Sequence, residues 1–191
     1  MAVAPIVPGR GCGTCTLCCK VMRIVALDKP AGEWCGHCTV GAGCSIHGQH
    51  PAECAAFHCA YLTSPALSEA WRPAKSKLVV VSEFDGRRLA IHVDPDRPNA
   101  WREEPFHSQI RQWGRTAAAQ MMQVVVWVRN RAIVILPDGE VDLGPMEDYD
   151  TIVLGEVPEN GRVTLKAFRM KADDPRLAGR AEGEVHSSNA G

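Results

Sequence analysis

The cysteines of this chain are crowded into a short part of its length. All nine lie between Cys12 and Cys59, and none occurs after Cys59. The densest stretch, GCGTCTLCCK, ends one residue after Cys19 and contains four of them. Such crowding is typical of a disulfide knot, a redox relay, a zinc site or part of an iron-sulfur site. Each of these fixes the local fold through bonds to sulfur rather than through an apolar core.

The N-terminus and the cysteine count favour metal ligands or catalytic thiols over disulfides. MAVAPIVPGRG has two prolines, no charged n-region and no long apolar run, unlike a secretory signal, and no apolar stretch reaches membrane-spanning length. We therefore expect a cytoplasmic protein, in which clustered cysteines are seldom structural disulfides. An odd number of cysteines also fits poorly with complete pairing.

The charge balance argues against a polyanionic partner. The net charge is -1 and the pI is about 6.6, whereas proteins that bind nucleic acids or anionic membranes carry a basic surface excess. We expect a metal ion as partner and neither a nucleic acid nor a membrane. The sequence indicates no particular protein partner.

The composition divides the chain into three parts. Residues 1–64 are rich in Cys, His and Gly, residues 65–170 alternate strand-like runs with turn signals, and residues 171–191 end in a segment without an apolar pattern. This predicts an α+β fold: a Cys-rich metal-binding N-terminal part, an antiparallel β-sheet with one packed amphipathic helix, and a disordered tail.

Strand-like runs in the second part form three predicted hairpins. Their spacing and the Asp-Gly, Pro-Asp-Gly and Pro-Glu-Asn-Gly turn signals indicate antiparallel pairing. The paired runs are 76–82 with 87–93, 124–128 with 132–136 followed by 140–143, and 150–156 with 162–168.

One amphipathic helix is predicted between the first two hairpins. Apolar residues recur there at steps of three and four, as expected for one helical face, over roughly residues 103–121. The residues on this face are Phe106, Ile110, Trp113, Ala117 and Met121. The tryptophans of the second part, including Trp71, Trp101 and Trp127, are best explained as packing residues.

The first four cysteines would share one side of a helix. Their spacing places Cys12, Cys15, Cys18 and Cys19 within an arc of about 120°. Glycines beside Cys12 weaken a helix there, so a loop that runs into a helix is an equal alternative. Adjacent Cys18 and Cys19 cannot easily bind the same ion, which indicates either two neighbouring sites or one bridging or outer thiolate.

A tetrahedral zinc ion or an iron-sulfur cluster needs four soft ligands, and more are available downstream. The segment 34–59 adds Cys35, Cys38, Cys44, Cys54 and Cys59 and the histidines His37, His47, His50 and His58. The ferredoxin spacing C-x2-C-x2-C-x3-C-P is absent, because the fourth cysteine follows the third directly.

These motifs resemble a known family. The run C-x2-C-x2-C-C, a cysteine near Trp34, the stretch Cys44-Ser45-Ile46 with Pro51 and Cys54, and F-x-C ending at Cys59 are similar to the bacterial CxxCxxCC family of zinc- or iron-chelating domains. The resemblance covers roughly residues 10–62. It implies metal chelation but no established reaction. The ligand positions that it implies are Cys12, Cys15, Cys18, Cys19, Cys44, Cys54 and Cys59, with Cys35 or Cys38 as the eighth.

Two histidines depart from the family pattern. His47 stands where the family has a tyrosine and His50 where it has an arginine. Either imidazole would add a nitrogen ligand and favour zinc or iron over an all-sulfur site. We include His47 with the nine cysteines as a candidate ligand.

Three functions follow from these residues. The first is a protein that chelates zinc or iron through its N-terminal cysteine cluster. The second is an iron-sulfur protein that serves an oxidoreductase or another metalloenzyme, and the third is a thiol-redox enzyme that uses Cys12 and Cys15. A separate polar site at His92 and Asp94 is a weaker alternative to a simple strand end. No catalytic residue or substrate can be named.

Overall fold

The structure, a computed structural model, describes residues 5–159 and 161–177 together with the backbone of residues 186–187. Helices and strands both contribute to this part of the chain, which confirms the α+β class. The α-helices are α1 (Cys18–Val21), α2 (Ala52–Ala55), α3 (Ala60–Thr63), α4 (Pro73–Ser76) and α5 (Phe106–Ala118). The strands are β1 (Cys38–Thr39), β2 (Gly43–Cys44), β3 (Leu78–Glu83), β4 (Arg88–Val93), β5 (Gln123–Val128), β6 (Arg131–Leu136), β7 (Gly139–Pro145), β8 (Asp150–Glu159), β9 (Arg162–Lys171) and β10 (His186–Ser187).

The predicted hairpins are all present. Strands β3 and β4, β5 and β6, β6 and β7, and β8 and β9 each pair antiparallel. At the first turn Asp85 and Gly86 have φ values of 56° and 89°, a conformation that Asp tolerates and Gly adopts freely. The strongest sequence signals for turns therefore mark real chain reversals.

The sheet differs from the expected antiparallel one in two respects. The main sheet has five strands in the order β3-β4-β5-β6-β7 and is mixed, because β4 and β5 pair in parallel. A separate sheet has three strands in the order β10-β8-β9. The physical reason is helix α5, which lies between β4 and β5 in the chain. Its crossover returns the chain to the edge at which β4 began, so that β5 runs in the same direction.

Helix α5 is shorter than the predicted residues 103–121. Its buried face contains Phe106 and Ile110, as the periodicity predicts. After the helix, however, the backbone of Met121 enters the left-handed region with a φ of 54°. Its side chain is 45% exposed, so the last residue of the predicted apolar face lies outside both the helix and the core.

A single apolar cluster contains residues from both the Cys-rich part and the sheet. Leu17, Val21 and Tyr61 are buried in the same cluster as Ile91 of β4 and Val126 of β5. These described residues of the Cys-rich part therefore pack on the sheet.

The tryptophans of the second part pack as predicted. Trp71 and Trp101 are almost fully buried, and Trp127 is buried in a second apolar cluster between the two sheets. The ring centroid of Trp113 lies 4.9 Å from that of Trp71. These contacts seat helix α5 and the segment before α4 against the main sheet.

The predicted tail, residues 171–191, lies partly outside the described residues. Up to Leu177 the chain continues from β9 into a short 3-10 helix over Pro175–Leu177, and Leu177 is buried. The backbone of β10 pairs with β8. No helix in the described ranges is long and apolar enough to cross a membrane.

Gly114 allows helix α5 to approach strand β6. A Cβ atom at this position would lie 2.7 Å from Cγ2 of Ile135 and 3.0 Å from its carbonyl oxygen. We expect Gly114→Ala to lower the free energy of unfolding by about 1–2 kcal/mol, because overpacking costs about 1–3 kcal/mol and alanine's better helix propensity offsets up to about 1 kcal/mol. Urea unfolding of the reduced protein measures this change.

The matched control is Gly139→Ala. A Cβ atom there meets nothing within 4 Å, so we expect a change below about 0.5 kcal/mol. Equal stability of the two variants would contradict the close contact between α5 and β6.

Candidate functional site

All nine cysteines line one cavity in the Cys-rich part. The cavity has a volume of about 760 Å³, and three histidines, His47, His50 and His58, also line it. Apolar side chains such as Met22 and Phe57 fill much of the remaining wall. The folded chain thus turns cysteines that are spread over almost fifty positions into a single concave surface.

The first pair of cysteines lies in a turn rather than on a helix. The backbone N–H of Cys15 donates to the carbonyl of Cys12 at 2.9 Å, and Gly13 between them has a φ of 54°. Helix α1 begins only at Cys18. The continuous helical face predicted for the first four cysteines is therefore wrong, and the alternative of a loop that runs into a helix is correct, because glycine here adopts a left-handed conformation.

A second C-x2-C turn has the same backbone hydrogen bond. The N–H of Cys38 donates to the carbonyl of Cys35 at 3.0 Å. The N–H of Cys35 in turn donates to the carbonyl of Cys19 at 3.0 Å. Cys38 also lies directly opposite Cys44 in the pairing of β1 with β2. These bonds hold the second turn, the short hairpin and the start of α1 next to each other.

The last two cysteines belong to short helices that close the cavity. Cys54 lies in α2, which follows Pro51, and Cys59 immediately precedes α3. Cys59 is buried and is part of the apolar cluster on the sheet. The wall that it forms is therefore anchored, whereas Cys54 is only half-buried.

Thiols near the start of α1 are hydrogen-bonded to one another. A side-chain hydrogen bond with Cys18, together with burial, raises the pKa of Cys19 far above its usual range, although a bond with Cys38 opposes this. Burial and the neighbouring Cys19 raise the pKa of Cys38 to about 11. These two thiols therefore hold their protons firmly near neutral pH in the metal-free protein.

Burial has the same effect at other places in the cavity. It is the main reason for a raised pKa at Cys12, Cys54 and Cys59. Charges on neighbouring thiols add to it: Cys15 acts on Cys12, and both act on Cys59. The thiols are thus close enough for each thiolate to disfavour the next.

Two cationic side chains stand beside the thiols. Burial lowers the pKa of the Lys29 amine, although the nearby thiols of Cys35, Cys19 and Cys18 oppose this effect. The Nζ atom of Lys29 donates a hydrogen bond to the carbonyl of Lys20 at 2.7 Å. Arg72 lies near Cys12, where its charge lowers the thiol pKa. The Nη2 atom of Arg72 would be 3.2 Å from a Cβ atom on Gly13, so this loop passes close to the guanidinium.

Lys20 connects the cavity wall to the sheet. Its ammonium group contacts Asp94 at 2.7 Å and Asp96 at 2.5 Å, and its side chain is only 5% exposed. Burial alone would lower the pKa of Lys20, but these two carboxylates outweigh it and hold the pKa above its usual value. The residue directly after Cys19 is therefore fixed to the end of β4.

The histidines have unequal surroundings. The rings of His47 and His50 lie beside each other with centroids 5.0 Å apart. The Nδ1 atom of His58 is buried and has no hydrogen-bond partner among the described residues. The structure thus places the candidate ligand His47 at the cavity, together with His50 and His58, two of the other histidines that the sequence offers as donors.

The donor atoms are not arranged as a finished metal site. Within the described ranges, no group of three or more His, Cys, Asp or Glu side chains has the geometry to hold a metal ion. The chemistry of the set nevertheless fits zinc or an iron-sulfur cluster, since thiols and imidazoles are their usual ligands. Any binding must therefore move side chains and displace the hydrogen bonds between thiols.

Sequence reasoning did not identify the cations as parts of the site. Arg72 lies outside the Cys-rich part, and nothing in its sequence context indicates that it reaches Cys12. Lys20 and Lys29 belong to the Cys-rich part, but their sequence context does not indicate that they lie beside the thiols. The separate polar site suggested at His92 and Asp94 is divided between two contacts. Asp94 forms an ion pair with Lys20, and Nε2 of His92 lies 3.6 Å from Glu83.

No family model, no curated protein and no solved structure matches the chain.

Lys20→Met tests the connection between cavity and sheet. Loss of the ammonium leaves Asp94 buried without its partner, so we expect the free energy of unfolding to fall by about 3–5 kcal/mol, as for other broken buried ion pairs. Urea unfolding measures the loss. Arg131→Met, which removes the exposed contact of 2.7 Å with Asp142, is the matched control and should cost less than about 1 kcal/mol.

The thiols also determine how stability depends on pH in the reduced, metal-free protein. Their raised pKa values mean that the unfolded chain releases thiol protons at a pH at which the folded protein keeps them. The unfolded state then binds fewer protons, and stability must fall as the pH rises above about 8.5. The lowered pKa of Lys29 acts in the opposite direction. Lys29 is a single group, however, whereas the pKa is raised at five thiols, Cys12, Cys19, Cys38, Cys54 and Cys59.

We therefore expect the urea midpoint to decrease between about pH 7.5 and about pH 9.5. Cys38→Ala should flatten this decrease, because it removes one of the raised thiols. A midpoint that is constant or increases over this range in the metal-free protein would contradict the burial of the thiols.

Proposed function

We propose that this protein binds zinc or iron through the thiolates of its Cys-rich cavity. The observation that carries the proposal is that all nine cysteines line one cavity, together with His47, His50 and His58. Four soft donors suffice for a tetrahedral metal site, so the cavity offers more donors than one such site needs.

Electrostatics supports a cation as the occupant. Burial and mutual repulsion raise the pKa of several thiols, among them Cys12, Cys38 and Cys59. A bound metal cation would replace the thiol protons and compensate the charges that the thiolates impose on one another. Lys29 and Arg72 would reduce the remaining negative charge.

The open arrangement of the donors is consistent with binding that is coupled to local folding. Metal ions often organise segments that have too few apolar residues to fold alone. Here Leu17, Val21 and Tyr61 already attach the segment to the sheet. We propose that metal adds the final closure of the loops that contain Cys12, Cys35 and Cys38, while the sheet is folded with or without it.

An iron-sulfur cluster is the second candidate, and the cavity wall favours it specifically. Met22, Ile24, Ile46 and Phe57 line the cavity beside the thiols. Apolar surroundings limit solvent access to a cluster and thereby tune its potential. In this case the protein would serve an oxidoreductase or another metalloenzyme.

A thiol-redox enzyme is the less favourable alternative. Redox-active cysteines usually have a lowered pKa, because the thiolate is the nucleophile. Burial instead raises the pKa of Cys12, the first cysteine of the C-x2-C pair that such an enzyme would use. Without a metal, Cys12 is therefore a poorly activated nucleophile at neutral pH.

The resemblance to the CxxCxxCC family of zinc- or iron-chelating domains supports the same proposal. We further propose a reducing compartment, the cytoplasm, as the site of action, because clustered thiols stay available to a metal only where they are kept reduced.

Elemental analysis and a visible spectrum of protein purified without oxygen test the proposal. We expect zinc or iron in the wild-type protein, and iron with broad visible absorption and acid-labile sulfide for the second candidate. Cys15→Ser should lose at least half of the metal, since one of the two C-x2-C turns is broken. His107→Gln, a change on α5 away from the cavity, should retain all of it.

Two outcomes would contradict metal binding. One is wild-type protein that contains no metal and takes up neither Zn²⁺ nor Fe²⁺ when reduced. The other is metal that remains at the wild-type level when Cys12 and Cys15 are both replaced by serine.

A further inference from the structure

Three buried side-chain nitrogens on one face of the main sheet have no hydrogen-bond partner among the described residues. They are Nη2 of Arg88, Nε2 of His92 and Nε1 of Trp127. Arg88 and His92 are four residues apart on β4, and Trp127 of β5 is the register partner of His92, so all three side chains leave the sheet on the same side. This side faces the second sheet, because Trp127 belongs to the apolar cluster between the two sheets.

This face lies opposite the one that carries the Cys-rich part. Ile91, which alternates with these residues along β4, packs in the same cluster as Leu17 and Val21. The walls of the thiol cavity do not include Arg88, His92 or Trp127. The three nitrogens are therefore a feature separate from the proposed metal site.

Neighbouring groups fix the guanidinium of Arg88, whose side chain is only 2% exposed. Its Nε donates to Oε1 of Gln123 at 2.9 Å, and Nε2 of Gln123 donates at 2.9 Å to the carbonyl of Ile152 in β8. The guanidinium also lies over the ring of Phe84, with 4.8 Å between Cζ and the ring centroid. Both sheets and the β3–β4 turn thus orient this cation.

The turn that places Phe84 has an unusual backbone. Phe84, Asp85 and Gly86 have φ values of 51°, 56° and 89°, and a left-handed φ is rare for a bulky residue such as Phe. Backbone strain of this kind is concentrated at ligand and active sites. Here the strained residue is the one that covers the guanidinium.

Glu83 lies beside these donors without satisfying them. It is opposite Arg88 in the β3–β4 pair, yet its carboxylate oxygens remain 3.6 Å from Nη1 of Arg88 and 3.6 Å from Nε2 of His92. Charged groups that hydrogen-bond approach to about 2.7–2.9 Å. Burial of a cation with unpaired donors is costly, so an additional acceptor would stabilise this cluster.

The donor set determines which ligand is complementary. A guanidinium and an indole N–H can only donate, and a histidine nitrogen can donate as well. The ligand must therefore present acceptors, and a negative charge favours it beside Arg88. A carboxylate has the planar pair of oxygens that a guanidinium recognises best. Because Glu83 already offsets part of the charge of Arg88, a monoanion fits better than a phosphate dianion.

We propose that this face of β4 and β5 binds a small free carboxylate. Nη2 of Arg88 is its main donor, and His92 and Trp127 donate further hydrogen bonds. The ligand enters beside Glu83 and His92, whose side chains are 19% and 14% exposed and connect the cluster to the surface.

Titration of the full-length protein with sodium acetate at constant ionic strength tests the proposal. Proton–nitrogen NMR of the tryptophan indole groups follows the binding, with the Trp127 signal assigned through Trp127→Phe. We expect this signal to shift and saturate as acetate accepts its hydrogen bond. The indole of Trp71, which already donates to Gln109 at 2.8 Å, is the internal reference and should not move.

Two variants distinguish a specific site from a general effect of salt. Arg88→Met should weaken acetate binding at least about tenfold, because it removes a charged hydrogen bond, whereas Arg131→Met on β6 should not change it. Glu83→Gln keeps the side-chain shape and removes the neighbouring negative charge, so acetate should bind about threefold more tightly or better. A damaged fold would not produce such a gain, so this variant remains informative if Arg88→Met unfolds.

Three results would overturn the proposal. The first is a Trp127 signal that does not shift up to about 100 mM acetate, a concentration that would detect even millimolar affinity. The second is an equal shift in folded Arg88→Met, and the third is an unchanged affinity in Glu83→Gln. Each would show that ordered water alone satisfies the three nitrogens.

Discussion

The ammonium group of Lys20, held between Asp94 and Asp96, fixes where the thiol cavity lies on the sheet. The pair with Asp94 is largely buried, whereas Asp96 is exposed, and Lys20 follows directly after Cys19 in α1. Leu17 and Val21 of the same turn pack into the apolar cluster, each contributing about 1.5–3 kcal/mol. A buried ion pair adds little net stability over an apolar pair, although breaking it is costly. Packing therefore stabilises the attachment, and Lys20 determines its orientation.

The cavity and the sheet consequently have different sources of order. The sheet and helix α5 are held by close packing, as the contact of Gly114 with Ile135 illustrates. The cavity wall consists of turns and helices of four residues, with thiols whose mutual repulsion and burial oppose ionisation. Such a wall gains order when a cation replaces the thiol protons. A metal bound as proposed would thus complete the fold of the Cys-rich part on a scaffold that is already formed.

The sequence predicted what depends on local chemistry and failed where distant residues decide. Asp-Gly turns and β-branched runs identified the hairpins, because both signals act within a few residues. The parallel pairing of β4 with β5 depends on a crossover, which alternation alone does not reveal. For the first four cysteines the glycines beside Cys12 left a helix and a loop as equal alternatives, and the left-handed φ of Gly13 decides for the loop. Arg72 and Asp94 lie beside the site only through tertiary contacts, which leave no mark on spacing or composition.

The central claim is that thiolates of this cavity bind a metal, and X-ray absorption at the zinc and iron edges tests it most directly. The sample is the full-length protein purified without oxygen, with its metal retained. The account predicts a first shell dominated by sulfur at about 2.3 Å for zinc, with at most one nitrogen per ion. A first shell of oxygen and nitrogen alone near about 2.0 Å, without a sulfur contribution, would contradict it.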